Sequence, residues 1–243
     1  MIAGWILAAA LAGPPEALVH IDEAAAYETL LTKMARDADA EFAGSACPGA
    51  SVEHYERQPI KIGDRPDLAA MHERLKLTGC GRDTIQNINV VRFGGAPPWR
   101  MVFGVPGESN ADMMLQMSAM PAAVANARAG MPAECQRLQL GNVYVAARPG
   151  HVDVTPPGAK AIASRPGHFG IGFPPKVEAQ RDRFELTRAW TEVWPFTSCG
   201  KNRTLAVVFL PLKGQAASMY LFIPVWQIEA QNPGARPAPA PKE

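Results

Sequence analysis

Gly107-Glu108-Ser109-Asn110-Ala111 sits where a strand pattern runs into a helix pattern, the setting in which a serine can be raised as a nucleophile. The elbow pattern G-x-S-x-G wants a fifth-position glycine, and here that residue is alanine. Asp153, His168 and Asp182 lie downstream, but no alternating strand–helix pattern of a hydrolase sheet surrounds the serine. A strand–Pro–Gly–helix junction also needs a cap. Ser109, with Asp112 three residues on, supplies one, and capping is the expected role.

Other groups have weaker claims on chemistry. Met113, Met114, Met117 and Met120 crowd one helix pattern, with Met131 just beyond, and clustered thioethers can hold Cu(I). Methionine is also an adaptable core filler, the expected use here. His20-Ile21-Asp22 and His151-Val152-Asp153 are His-x-Asp pairs that would share one face of a strand and could share a metal. The first falls at a helix start and the second in a loop pattern, so solvated surface is the expectation for both. Arg82 and Lys201 each follow a Cys-Gly pair and could receive an anionic ligand. Trp190, Trp194, Phe196 and Trp226 are a heavy aromatic group that could line a groove but is expected to form core. No catalytic, metal or cofactor set is expected from these residues.

The bulk properties exclude some partners. The 243 residues are 47% hydrophobic and 19% charged, with a formal net charge of +1. Phosphate binding needs clustered Lys and Arg, and no basic run exceeds a pair, so nucleic acid is not expected. A chain of this length buries roughly 70% of the surface of its unfolded form, enough for a real core.

Residues 1–12, MIAGWILAAALA, form an apolar run that ends in Ala10-Leu11-Ala12, a small-x-small sequence of the signal-peptidase type. Pro14 and Pro15 follow, and the run is too short to span a bilayer, which takes about 20 residues. No Lys or Arg precedes Lys33, which departs from an ordinary secretory leader. Export is the expectation. The four cysteines, Cys47, Cys80, Cys135 and Cys199, agree with it: they form no Cys-x-x-Cys and no Cys/His cluster, and an even count outside the cytosol reads as two disulfides with three connectivities open.

These residues must be carried by a small set of elements. Asp22 is placed to cap a helix through about Phe42, with Tyr27, Leu30, Leu31, Met34, Ala38 and Phe42 on one face and Gly44 ending it. Strands are expected over Met71–Thr78, Ile85–Phe93, Trp99–Val105, Leu138–Ala147, Phe184–Thr197, Thr204–Leu212 and Ser218–Ile228, and a second helix over Asn110–Ala129. Residues 148–176 read as a long Gly/Pro-rich connection, and Asn232–Glu243 as a disordered Pro/Ala tail.

Leu75-Lys76-Leu77-Thr78-Gly79-Cys80-Gly81-Arg82 aligns without a gap to Trp194-Pro195-Phe196-Thr197-Ser198-Cys199-Gly200-Lys201. In the same register Asn89-Val90-Val91 meets Val208-Phe209-Leu210, Gly95 meets Gly214, and Met101-Val102-Phe103 meets Tyr220-Leu221-Phe222. Strand, Cys-Gly-basic, strand, glycine turn, strand therefore occurs twice, as two β-meanders. On that picture each motif cysteine pairs with the cysteine that precedes it, Cys47 with Cys80 and Cys135 with Cys199.

At Cys80-Gly81-Arg82, followed by Gln86-Asn87, and at Trp190–Trp194 before Cys199-Gly200-Lys201 and Val207–Pro211, the chain resembles uncharacterised exported proteins and lipoproteins of proteobacteria. The likeness covers about a third of the chain in short motifs. It implies export and strand-rich structure, and brings no catalytic or binding residue with it.

The expected architecture is α+β: mostly antiparallel sheet with an N-terminal and a central helix, after a leader over 1–12. A single globular domain is expected over 13–231, with halves of about 22–147 and 151–228. The expected function is a periplasmic or secreted, non-catalytic binding protein whose partner is an envelope protein or a small ligand, with no stable membrane span. Its candidate ligand contacts are Arg82, Lys201, Trp190 and Trp194. The alternative is an exported hydrolase with an unrecognised site.

Overall fold

The computed structural model describes residues 6–9, 21–60, 68–93, 99–135, 137–155 and 168–225. The chain forms two compact units, the first of residues 1–108 with 139–142, the second of residues 109–138 with 143–243. The division at Glu108/Ser109, earlier than the expected one near residue 147, follows from the bonding of the second helix. That helix and the segment leading into it belong to the second sheet through Tyr220 Oη–H to the Ser118 carbonyl, 2.8 Å, and through the Ser109 contacts described below.

In the first unit α1 (Ile21–Ala43) buries Tyr27, Leu31, Met34, Ala38 and Phe42 of the expected stripe, with Ala35 buried beside them and Leu30 only half-buried. Gly44 takes φ 71° just past its end, the left-handed conformation that stops a helix. Asp22 is the second residue of α1 rather than its cap. The helix packs on a sheet of order β1-β5-β4-β3-β2, antiparallel throughout, built from β1 (Ile6–Ala9), β2 (Ser51–Pro59), β3 (Leu68–Gly79), β4 (Arg82–Phe93) and β5 (Trp99–Phe103). Strand β2 escapes a hydropathy reading because it is a charged edge strand, exposed along most of its length. Of the leader-like run 1–12, only residues 6–9 are described, as the strand β1 beside β5; the remainder, and His20, lie outside the described residues. A two-residue strand, β6 (Gln139–Leu140), completes the unit.

The second unit opens with α2 (Met113–Arg128), followed by β7 (Tyr144–Ala147), β8 (Val152–Thr155), β9 (Phe169–Gly172) and the single turn α3 (Pro175–Glu178). Then come β10 (Trp190–Trp194), β11 (Phe196–Ser198), β12 (Lys201–Asn202), β13 (Leu205–Pro211) and β14 (Ser218–Pro224). The main sheet runs β14-β13-β10-β7, again antiparallel. Strand β13 is buried at every residue. The expected connection 148–176 contains the parallel pair β8–β9, whose Val152 and Ile171 join Phe184, Ala189, Val208 and Leu210 in one apolar cluster. The tail from residue 226, Trp226 included, lies outside the described residues.

The two meanders have the same strand pairing. Glu73 faces Ile88 and Ile88 faces Phe103; Glu192 faces Val207 and Val207 faces Phe222. All three positions are separated from their counterparts by the offset that separates Cys80 from Cys199. Each hairpin turns through Cys-Gly, at φ 50° and 73° for Cys80-Gly81 and 46° and 69° for Cys199-Gly200. Positive φ at both central residues is the type I′ turn, whose twist matches that of paired strands. The turn cysteines are bonded to the cysteine after each unit's helix: Cys47–Cys80 and Cys135–Cys199, the pairing derived above. No free cysteine remains among the described residues.

Gly79, the residue before the first turn, has no room for a side chain: a Cβ there would stand 2.9 Å from the Ala50 Cα and 3.2 Å from Cys47 Sγ. Its counterpart Ser198 instead donates its hydroxyl to the Cys135 carbonyl at 2.8 Å. Each unit thus holds its turn against the loop that follows its helix.

Candidate functional site

Ser109 lies on the approach to α2, and its Oγ–H is directed at Glu192, 2.9 Å from both carboxylate oxygens. Glu192 is fully buried in the middle of β10. Its Oε1 also accepts from the backbone N–H groups of Asn110 (2.8 Å) and Ala111 (3.1 Å) and from the Trp190 indole (2.9 Å), and its Oε2 accepts from the Trp194 indole (3.0 Å). Burying a carboxylate is costly unless its lone pairs are bonded, and this cage of indole, hydroxyl and peptide donors bonds them. The Ser109 oxygen further accepts from Ala111 N–H at 3.1 Å. The cap of α2 is Asp112, whose side chain accepts from Leu115 N–H; the expectation that Ser109 itself caps the helix is corrected by one turn of chain, since its hydroxyl is drawn to Glu192. The described hydrogen-bond partners of the Ser109 side chain are the Glu192 carboxylate and the Ala111 N–H, with no imidazole among them.

The first unit buries its own glutamate at the matching place. Glu73 on β3 accepts from Tyr27 Oη–H of α1 at 2.8 Å and from Arg57 Nε on β2 at 2.9 and 3.0 Å. Burial, reinforced by the Glu73 charge, pushes the Tyr27 phenol far above its ordinary value. Around this anchor the cluster opens to solvent. Arg57 Nη2 donates to Glu28 at 2.6 Å, and His54 Nε2 lies 3.2 Å from Glu28 and 3.6 Å from Glu73. Burial alone would lower the basicity of Arg57, but its bonds to Glu28 and Glu73 outweigh that and raise it.

Arg82 is bound bidentately to the buried Asp39 of α1, with Nη2 at 2.6 Å and Nε at 3.2 Å, and donates to the Ser45 carbonyl at 2.7 Å. Its cation ties the Cys-Gly turn to the helix, while Lys201 is exposed. Trp190 and Trp194 are core residues, Trp190 stacked on Phe209 with centroids 4.8 Å apart. Met120 is buried and Met114 is 68% exposed, so the methionines share no single pocket. His151 stacks on His168, and Asp153 lies 3.2 Å from His168 without hydrogen-bond alignment. No cluster of three or more His, Cys, Asp or Glu side chains among the described residues is disposed to hold a metal ion.

Sequence reading passed over both buried glutamates. The gap-free alignment of the two meanders starts at Leu75 and Trp194, two residues after them. Extended by two residues, the same register would have set glutamate against glutamate.

Among the described residues no helix is long and apolar enough to cross a membrane. No family model, curated protein or solved structure matches the chain.

Proposed function

We propose that this chain is an exported, non-catalytic protein of the bacterial envelope, periplasmic or secreted, that binds another protein or a small ligand. The carrying observation is the use made of the groups that might do chemistry. The Ser109 hydroxyl, the buried Glu73, Glu192 and Asp39, and the Arg82 guanidinium are all engaged in fastening a helix or its approach to a sheet. The two disulfides support an oxidising compartment. The leader-like run 1–12 and the resemblance to exported proteobacterial proteins point the same way.

The two units are read as copies of one ancestral helix–cysteine–meander module. Identical strand registers, Cys-Gly turns and a glutamate in the same buried place support this. Among the described residues strand β1 has no counterpart in the second unit, so loss of a cleaved leader would leave both main sheets with four described strands in the same order.

Affinity capture of the tagged chain from its native envelope, with parallel treatment by an active-site serine label, tests the reading. One stoichiometric partner and an unlabelled Ser109 are expected; covalent label on Ser109 would instead establish the hydrolase.

A further inference from the structure

We propose that the outer edge of β14 is a strand-acceptor site, at which an extended, uncharged apolar segment of a partner protein adds antiparallel to the second sheet. This rests on the binding-protein reading and specifies its partner chemistry.

The edges of the two main sheets differ in kind. Strand β2 carries Glu53, His54, Glu56 and Arg57, breaks register between His54 and Glu56, and ends in Pro59, all features that deter pairing. Strand β7 has only four residues. Strand β14, SMYLFIP, has seven residues and no charge, and among the described residues it is paired on one side only, to β13.

Its faces are already supported. Met219, Leu221 and Ile223 pack on the cluster of Val208, Leu210, Ile171 and Phe184. On the opposite face Tyr220 packs edge-on to Phe209 and Phe222, and its hydroxyl bonds the Ser118 carbonyl of α2. What remains is the backbone edge. The bonds Val225 N–H to Thr204 O and Leu212 N–H to Ala217 O fix which residues of β14 face β13. In an antiparallel pair the alternate residues point away, so Ser218, Tyr220 and Phe222 direct N–H and C=O outward.

The first unit displays an occupant at the corresponding edge. Strand β5 stands where β14 stands, in the same register, and the apolar strand β1 lies antiparallel on it with Leu7 opposite Met101 and Ala9 opposite Trp99. Met101 corresponds to Tyr220, an outward-pointing residue. Main-chain bonds of this kind give affinity while the side chains of the added strand give specificity.

The test uses the full chain with disulfides intact and a synthetic peptide of residues 4–11, GWILAAAL, carrying a lysine at each end. Exchange of the Ser218, Tyr220 and Phe222 amides is expected to slow by about tenfold or more on peptide addition, with Met219, Leu221 and Ile223 unchanged. Ser218→Pro removes one outward N–H at the start of the strand, where proline is tolerated, and is expected to weaken the peptide by about fivefold. Outward amides that exchange as before would overturn the proposal. So would amides already protected without peptide, whether by the chain's own tail (protection at any dilution) or by a second copy (protection lost on dilution). An envelope partner captured equally by Ser218→Pro would also remove this site while leaving the binding-protein reading standing. Label on Ser109 would remove that reading, with strand addition still scored by exchange.

Discussion

Glu73 and Glu192 occupy one and the same place in two separately paired sheets. Each is fully buried, each faces an aliphatic residue of the next strand, Ile88 or Val207, and each bonds the N-terminal part of its unit's helix or the segment entering it. The donors differ: a phenol and a guanidinium around Glu73, two indoles, a hydroxyl and two peptide groups around Glu192. The position is kept while its surroundings diverge.

Replacement of Glu192 by Gln leaves a carboxamide N–H2 among donors that lack an acceptor, and is expected to destabilise the chain by about 3 kcal/mol. Denaturant melts followed by tryptophan fluorescence measure this, since Trp190 and Trp194 both bond the carboxylate. Glu73→Gln should cost less, about 2 kcal/mol, because Arg57 keeps Glu28 and a route to water. A loss well under 1 kcal/mol in both variants would contradict an anchoring role.

The raised pKa of Tyr27, caused first by burial and then by Glu73, gives an alkaline signature. The fold holds the neutral phenol, so its contribution is complete below about pH 10 and falls progressively as pH rises above that, where the unfolded chain ionises and the folded one does not. Stability is expected to decline less steeply with alkali in Tyr27→Phe than in the parent, in melts at pH 8 and about pH 11. Of the four tyrosines, Tyr144 is also raised by burial, so phenolate absorbance of the native chain should show both Tyr27 and Tyr144 titrating late.

The disulfides close loops with sequence separations of 33 and 64 residues, worth about 4 kcal/mol each in the chain-entropy model. Non-reducing peptide mapping should recover Cys47 linked to Cys80 and Cys135 to Cys199. A Cys80–Cys199 peptide would refute the pairing.

At the two turns, Gly81→Ala and Gly200→Ala place a Cβ at φ 73° and 69°. With open space around both positions, the cost is conformational only, about 1 kcal/mol in each unit. Gly79→Ala is expected to cost more, since the added methyl meets the Ala50 backbone at 2.9 Å. Thermal melts of the three variants should preserve that order.

The sequence by itself determined the elements whose signals are local: the apolar stripe of α1, the strands around each Cys-Gly, the turn chemistry of those pairs, and the fold class that follows. It also carried the disulfide pairing, because a repeated motif limits which cysteines can meet. Tertiary structure alone decided the roles of polar residues. Whether Ser109 caps a helix or bonds a carboxylate depends on Glu192, far along the chain, and whether Arg82 waits for a ligand depends on Asp39 across the helix–sheet interface. Strand β2 and the β8–β9 pair were likewise hidden, since an exposed edge strand and a Gly/Pro-rich pairing take their stability from the neighbour they bond rather than from their own pattern. Burial of a charge is a property of its partners, and partners distant in sequence are set only by the fold.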